Sequence, residues 1–237
     1  MINKLLRNIT AISVLLMTLT ACQTTPSGPD TEFLAAVLNN KPTSILVVPV
    51  NNETIDVMAP TSVLATLPIT LGERGYYVFP VNTVKTLLEA EGYYEPAEVH
   101  AAPTSSLTEL FGADTVLYVT IHEWDAKYLL LKTTTVVDFE YTLKSNSGDV
   151  LWTARQKLTY TPDGGNSGNP LADLIAGAIS AAIERASPNY LPLTRQANHQ
   201  AFYNYRRGLP PGPHSPYYNA YYELIDKNTS TTTEGSE

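Results

Sequence analysis

The sequence predicts an α/β domain of the α+β sandwich type, a mixed sheet with helices laid on one side of it. Three observations predict this. Short β-branched apolar runs alternate with helical patterns between positions 44 and 111. From Asp114 the texture changes to long stretches of Thr, Val, Leu, Phe and Tyr broken by a hairpin signal, as in antiparallel strands. Leu171–Ala186 then follows the i, i+3, i+4, i+7 rule of an amphipathic helix without a miss. With 237 residues, 43% apolar and 16% charged, the chain can bury a core and is not disordered throughout.

Ser44–Val50, SILVVPV, reads as a buried strand, and Pro49 puts its last turn at a sheet edge or outside the ladder. Asn51-Asn52-Glu53 reads as a polar loop. Pro60-Thr61 opens a helix with Val63, Leu64, Leu67 and Leu71 on one face; Pro68 should bend or split it, and Gly72 and Gly75 should stop it. Tyr76–Pro80 is a second short strand. Asn82 is placed to cap a helix through Ala90 that stops at Gly92. Pro103–Phe111 is a third helix, with Ser105 or Ser106 as cap and Gly112 as terminator. Thr115–Trp124 is a strand, Lys127–Lys144 makes one long or two shorter strands, and Asn146-Ser147-Gly148-Asp149 turns the chain into a strand over Val150–Tyr160. Pro162–Asn169 is a loop before the Leu171–Ala186 helix, and Leu191–Tyr205 is the last helix. Gly208–Pro216 can be neither helix nor central strand, and the residues from Lys227 read as a disordered tail.

Residues 1–21 read as a secretory leader. Lys4 and Arg7 precede an apolar stretch, Ile9–Leu19, of about 11 residues, too short to span a bilayer. It ends in Leu19-Thr20-Ala21-Cys22, which resembles the bacterial lipobox, so Cys22 Sγ is expected to carry a diacylglyceryl group and its new N-terminus a further acyl chain such as palmitate. Gln23 stands where a retention signal would place Asp, which favours the outer membrane. The expected organisation is therefore a lipoprotein signal peptide over 1–21 and a lipidated N-terminus and tether over 22–43. The α/β body follows over 44–208, and a Pro/Tyr-rich segment with its tail over 209–237.

Composition excludes several function classes. There are 15 Lys+Arg against 23 Asp+Glu, a formal charge of -8; losing the leader removes Lys4, Arg7 and no acid, which leaves -10. An acidic chain without basic runs does not grip nucleic acid through its phosphates. One cysteine excludes an intramolecular disulfide framework and a Cys-based zinc cluster. The four histidines, His100, His122, His199 and His214, form no H-E-x-x-H pair. His122 and Glu123 would point to opposite faces of a regular strand, so they read as the water-facing end of a strand rather than a base and its orienter. No G-x-S-x-G elbow or phosphate-cradling glycine loop is present, and Ser167 sits in a turn-forming GGNSGN. No catalytic residue, cofactor or metal is therefore expected, and the chain is read as a non-enzyme.

Tyrosine is the unusual component. Fifteen tyrosines include four adjacent pairs, and seven lie between Tyr190 and Tyr222 among prolines. Such rings suit either packing of the C-terminal segment on its own domain or contact with a partner or a sugar. The far side of the Leu171–Ala186 helix carries Ala172, Ala176, Gly177, Ser180 and Ala181, small enough for the C-terminal segment or a second protomer, as a homodimer, to pack there.

SILVVPVNNET, the helix after Ala59-Pro60, GYYVFPV, FGADTVLYVTI, SGDVLW, and RQAN followed by GLPPGPHSPYY together resemble one family. It is the family of small Gram-negative lipoproteins typified by a meningococcal vaccine-candidate lipoprotein. The resemblance implies a periplasmic domain like the N-terminal domain of TolB, related to the periplasmic part of the curli secretion lipoprotein CsgG. It also implies gene neighbours that encode a CsgG-like lipoprotein and a second small lipoprotein. It carries over no catalytic residue and only Cys22 as the lipid attachment site. Two functions follow as expectations. One is a non-enzymatic, periplasm-facing or cell-surface accessory subunit of an outer-membrane secretion or transport assembly. The other is an envelope protein that binds or cleaves peptidoglycan or another glycan.

Overall fold

The computed structural model describes residues 28–129, 132–160 and 190–234. The leader, Cys22, Ser167 and the Leu171–Ala186 helix lie outside the described residues. The elements are α1 (Ala35–Asn40), β1 (Ser44–Val47), β2 (Asn51–Asn52), α2 (Ala59–Glu73), β3 (Tyr77–Val78), α3 (Val81–Ala90), α4 (Pro96–Ala101) and α5 (Thr104–Phe111). There follow β4 (Thr115–Leu129), β5 (Lys132–Ser145), β6 (Val150–Tyr160), α6 (Leu191–Phe202) and α7 (Tyr218–Glu234).

One mixed sheet organises them, in the order β3-β1-β4-β5-β6 with β2 also on β4. β1 runs parallel to β3 and β4, pairing Val47 with Leu117, and β4, β5 and β6 are antiparallel. Helices cover both sides of this sheet, where the sequence suggested one. The reason is in β1 itself: every residue from Ser44 to Val48 is buried, and a continuous apolar run needs cover on both faces. Ile45, Val47, Leu117, Val119, Phe139 and Tyr141 pack in a larger core with α1, α2 and α6. Leu46, Val48, Val116 and Tyr118 pack on the other side with Val84 of α3, Val99 of α4 and Leu107 of α5.

Several local expectations are corrected. The body does not wait for Ser44, because Leu34, Val37 and Leu38 are spaced for one helical face and are buried in the larger core. Asn51 and Asn52 are not loop but a short strand that pairs with Thr120 and Ile121. Pro68 does not split α2, which runs unbroken through it and through Gly72; Gly75, at φ +96°, marks the turn beyond the helix. The cap positions of α3 and α5 are Pro80 and Pro103, so Asn82, Ser105 and Ser106 lie inside their helices. α4 was not foreseen; the Glu98 carboxylate accepts the Glu95 N–H at 3.3 Å in its first turn. β4 continues past Trp124 to Leu129 and forms a hairpin with β5. The tail from Lys227 continues α7 as far as Glu234, a helix whose Ile225 is buried in the core beside Tyr221 and Tyr222.

The C-terminal segment packs in cis. Tyr76 donates its hydroxyl to the Pro210 carbonyl at 2.7 Å, Arg74 Nε donates to the Leu209 carbonyl at 2.7 Å, and Gly212 N–H donates to the Arg74 carbonyl at 2.9 Å. Gly75 and Gly212 meet backbone to backbone: a Cβ on Gly75 would sit 2.3 Å from Ser215 N and 2.8 Å from the Gly212 carbonyl oxygen. Gly75→Ala is therefore expected to lower stability by more than the roughly 1–2 kcal/mol of a left-handed φ alone. Limited proteolysis should then cut within 209–222 where the wild type resists. An unchanged melt with a protected C-terminus would mean that the segment does not lie on Gly75.

Candidate functional site

The part of the sheet not used for core lies on the far half of β4, β5 and β6, and a β-bulge shapes it. Register shifts between Ile121 and Glu123 of β4, with Ile121 opposite Phe139 and Glu123 opposite Asp138. Before the shift Val119 and Ile121 face the larger core; after it Trp124 does, although strict alternation would turn it outward. The extra residue is His122. The bulge also overturns the expectation that His122 and Glu123 lie on opposite faces, because both reach partners on the polar side.

His122 is clasped between two carboxylates, Nδ1 at 2.7 Å from Glu53 Oε2 and Nε2 at 3.0 Å from Glu140 Oε2. Glu53 is carried there by β2, its own N–H donating to the Ile121 carbonyl at 2.9 Å. Glu123 does not join this cluster but pairs with Lys157 of β6. Between them Asp138 is 4% exposed and takes a bidentate bond from Arg155, with Nε at 3.0 Å and Nη2 at 2.9 Å. The far face is thus a run of ion pairs across three strands.

Partial burial disfavours the His122 imidazolium, but the hydrogen bonds it donates to Glu53 and Glu140 outweigh it and raise the pKa above the ordinary value of 6.5. The resulting stabilisation is fully present below pH 6.5, the unfolded value, and is lost as pH rises through the higher folded value. Both carboxylates are about half exposed, so the effect is about 1 kcal/mol or less. His122→Gln should flatten this part of the stability–pH curve while leaving the alkaline limb unchanged. A slope that persists in the variant would assign the titration to another group.

Beside this face, between β6 and α6, lies an open groove of about 520 Å³. Phe33, Arg155, Gln156, Gln200, Asn204 and Arg207 contribute to its lining. Arg207 is fixed, its Nε 2.9 Å from Asp30 Oδ2 and its guanidinium 4.9 Å from the centre of the Phe33 ring. Gln156 Nε2 donates to Gln200 Oε1 at 2.8 Å. Two guanidinium groups, three amides and one ring suit recognition. Glu140, which also reaches the groove, is already committed to His122.

The remaining histidines are placed structurally. His100 Nε2 lies 2.9 Å from the Pro49 carbonyl oxygen, and burial holds its pKa below the ordinary value. His199 stacks on Tyr203 at 4.6 Å, and His214 donates its backbone N–H to Gly75. Among the described residues no group of three or more His, Cys, Asp or Glu side chains could hold a metal ion. No described helix is long and apolar enough to cross a membrane. Sequence reasoning missed the His122 clasp because its partners lie 69 and 18 residues away. The groove left one partial signal, the apolar Phe33-Leu34 before β1, in a stretch assigned to the tether.

The family motifs account for packing. Asn198 of RQAN is fully buried, accepting from the Tyr141 hydroxyl at 2.7 Å and donating to Thr66 Oγ1 at 2.8 Å. Gly212 of GLPPGPHSPYY closes on Gly75, and Trp152 of SGDVLW fills the core.

Comparison with known proteins agrees. The model of the family described as "Putative lipoprotein GNA1162-like" matches residues 33–214. A lipoprotein of Neisseria meningitidis serogroup B is 33% identical over 189 residues, covering 79% of this chain and 85% of that one. The crystal structure of lipoprotein GNA1162 from Neisseria meningitidis superposes with a TM-score of 0.51 and 34% identity, over 61% of this chain and all of that one. The PelC dodecamer from Paraburkholderia phytofirmans has 21% identity over 65% of this chain and 90% of that one, and its TM-score of 0.39 is too low to carry an argument. The match across nearly all of the described body, with the motif residues at the structural positions just given, makes this chain a member of the GNA1162-like lipoprotein family.

Proposed function

We propose that the protein is a non-enzymatic lipoprotein, acylated at Cys22, that faces the periplasm from the outer membrane and serves as a protein-binding accessory subunit of a secretion or transport assembly. Its partners are a CsgG-like lipoprotein and a second small lipoprotein. One observation supports this most: the polar groups of the open sheet face and groove are committed to one another. His122 is held by two glutamates, Asp138 by Arg155, Glu123 by Lys157 and Gln156 by Gln200. A general base or nucleophile needs a free functional atom and room for a substrate beside it. Ion pairs locked across three strands instead make a rigid surface with a fixed pattern of charge, which serves recognition.

Glycan binding is the second reading, and the tyrosines speak for it least where they are most abundant. Tyr76, Tyr190, Tyr203, Tyr221 and Tyr222 are spent on the core, while Tyr205 and Tyr217 stay exposed. The experiment is a mild-detergent pull-down of the full acylated chain followed by mass spectrometry, run beside a pull-down on purified sacculi. Stoichiometric recovery of another envelope lipoprotein supports the accessory role. Binding to sacculi that is lost in Tyr205→Ala and Tyr217→Ala supports the glycan reading instead.

A further inference from the structure

α2 is anomalous among the described helices of eight residues or more. From Val57 to Gly72 there is no charged residue, in a chain with 16% charged residues. Its inward side supplies Val63, Leu67 and Leu71 to the larger core. Its outward side is Met58, Thr61, Ala65, Ile69 and Gly72, all exposed and within one arc of the helix. The helix α3, by contrast, shows water the ordinary pair Lys85 and Glu89, 3.3 Å apart. A helix without charge on any side is ordinarily covered on every side.

The loop before α2 extends the same surface. Ile55 is fully exposed, Val57 is 84% exposed and Met58 63%. The loop is nonetheless built: Asn52 Oδ1 accepts the Thr54 N–H at 3.1 Å, Asn52 Nδ2 donates to the Asp56 carbonyl at 2.9 Å, and Asp56 Oδ1 accepts the Met58 N–H at 2.8 Å. Three large apolar side chains are thus presented on a preorganised support, which lowers the entropy lost on binding.

The position of the surface relative to the anchor bears on what covers it. α2 and α6 run side by side in one direction, joined by Thr66 to Asn198 and by Arg74 over the Tyr203 ring. Asp30, near the start of the described residues, donates its N–H to the Arg206 carbonyl, beyond the C-terminal end of α6. The Ile55–Met58 loop lies at the opposite end, about 22 Å away along the 15-residue α2. With the lipid at Cys22 as proposed, the apolar loop lies at the end of α2 farther from where the tether joins the body. Charge selects the partner further. Asp56 lies at the N-terminal end of the surface and Glu73 at its C-terminal end, while the Glu53 carboxylate is already engaged with His122. The nearby cation of Arg74 is turned inward, to the Leu209 carbonyl and the Tyr203 ring.

We propose that the outward face of α2, with the Ile55–Met58 loop, docks an amphipathic helix of another envelope protein whose apolar stripe is bordered by lysine and arginine. This rests on the reading of the protein as a binding subunit and names the surface and the kind of partner. α2 offers about four turns of uncharged face, the length over which a partner helix lays down its own stripe.

The test uses the full acylated chain in its native envelope, with a photo-cross-linking residue in place of Ile69 and, separately, of Leu87 on α3 as an exposed control. The expected result is a cross-link from position 69 into an apolar, Lys/Arg-bordered helical segment of another protein, absent from position 87. Ala65→Lys with Ile69→Lys should reduce recovery of that protein at least tenfold, with a melting temperature unchanged because both sites are exposed. Cross-links only to lipid, to a second copy or to the chain's own residues overturn the proposal. Undiminished recovery of a partner with the double variant also overturns it, and leaves the binding-subunit reading standing. Failure of the wild type to recover any partner removes that reading itself.

Discussion

Trp152→Ala is expected to cost about 3–5 kcal/mol of folding stability, the usual range for removing a fully buried large aromatic side chain. Trp152 is 2% exposed and stacks on Phe202 at 5.3 Å with an interplanar angle of 25°. Phe202 in turn meets the Tyr141 ring edge-on at 5.2 Å, so the three rings join β6, α6 and β5. The truncation also strands an acceptor, because Trp152 Nε1 donates to the Arg207 carbonyl at 2.7 Å. For a body of this size each kcal/mol moves the midpoint by about 2–4 °C, so the fall should be roughly 6–20 °C. Trp152→Phe should recover much of the packing and none of the hydrogen bond. An unfolding free energy for Trp152→Ala, from chemical denaturation, within about 1 kcal/mol of wild type would contradict the central place given to this ring.

How much of this was legible beforehand follows from how local each signal is. The runs SILVV and TVLYVTI and the Asn146–Asp149 turn declare themselves because burial and turn chemistry are written in neighbouring residues. The same holds for α2, α3, α5 and α6, whose apolar positions recur at helical spacing. α1 and α4 have six residues each, too few for a period to emerge, and α1 owes its place to the core that receives Leu34 and Val37. β2 is two asparagines with no strand propensity, held by pairing to Thr120 and Ile121. The His122 clasp was hidden for a stronger reason. Alternation along TVLYVTIHEW predicts the wrong side for one of His122 and Glu123, and only the displaced register opposite Phe139 and Asp138 reveals the bulge. The tyrosines of the C-terminal segment were visible as a composition anomaly. Their role in cis depended on Gly75 and Gly212 meeting across 137 positions of sequence, which no local pattern announces.

Cys22→Ala should abolish acylation outright and leave the folded body untouched. The chain has one thiol, so a variant without it has no sulfur on which a diacylglyceryl thioether can form. Each buried methylene of an acyl chain contributes roughly 0.8 kcal/mol, so two or three chains hold a protein at a bilayer almost permanently, and their loss is close to all-or-none. No described helix is long and apolar enough to span. The apolar stretch Ile9–Leu19, at about 11 residues, is also too short to cross a bilayer. Labelling with a palmitate analogue should vanish in Cys22→Ala, and the carbonate-washed membrane fraction should fall from nearly all of the protein to background. The melting temperature of the body should not move, because the first of the described residues tied to it by a hydrogen bond is Asp30, through Arg206 and Arg207. That separates this variant from Trp152→Ala, which should lower the melting temperature and keep the label. Persistent labelling of Cys22→Ala would place the lipid elsewhere. A lowered melting temperature without the acyl chains would mean that the anchor helps to hold the fold together.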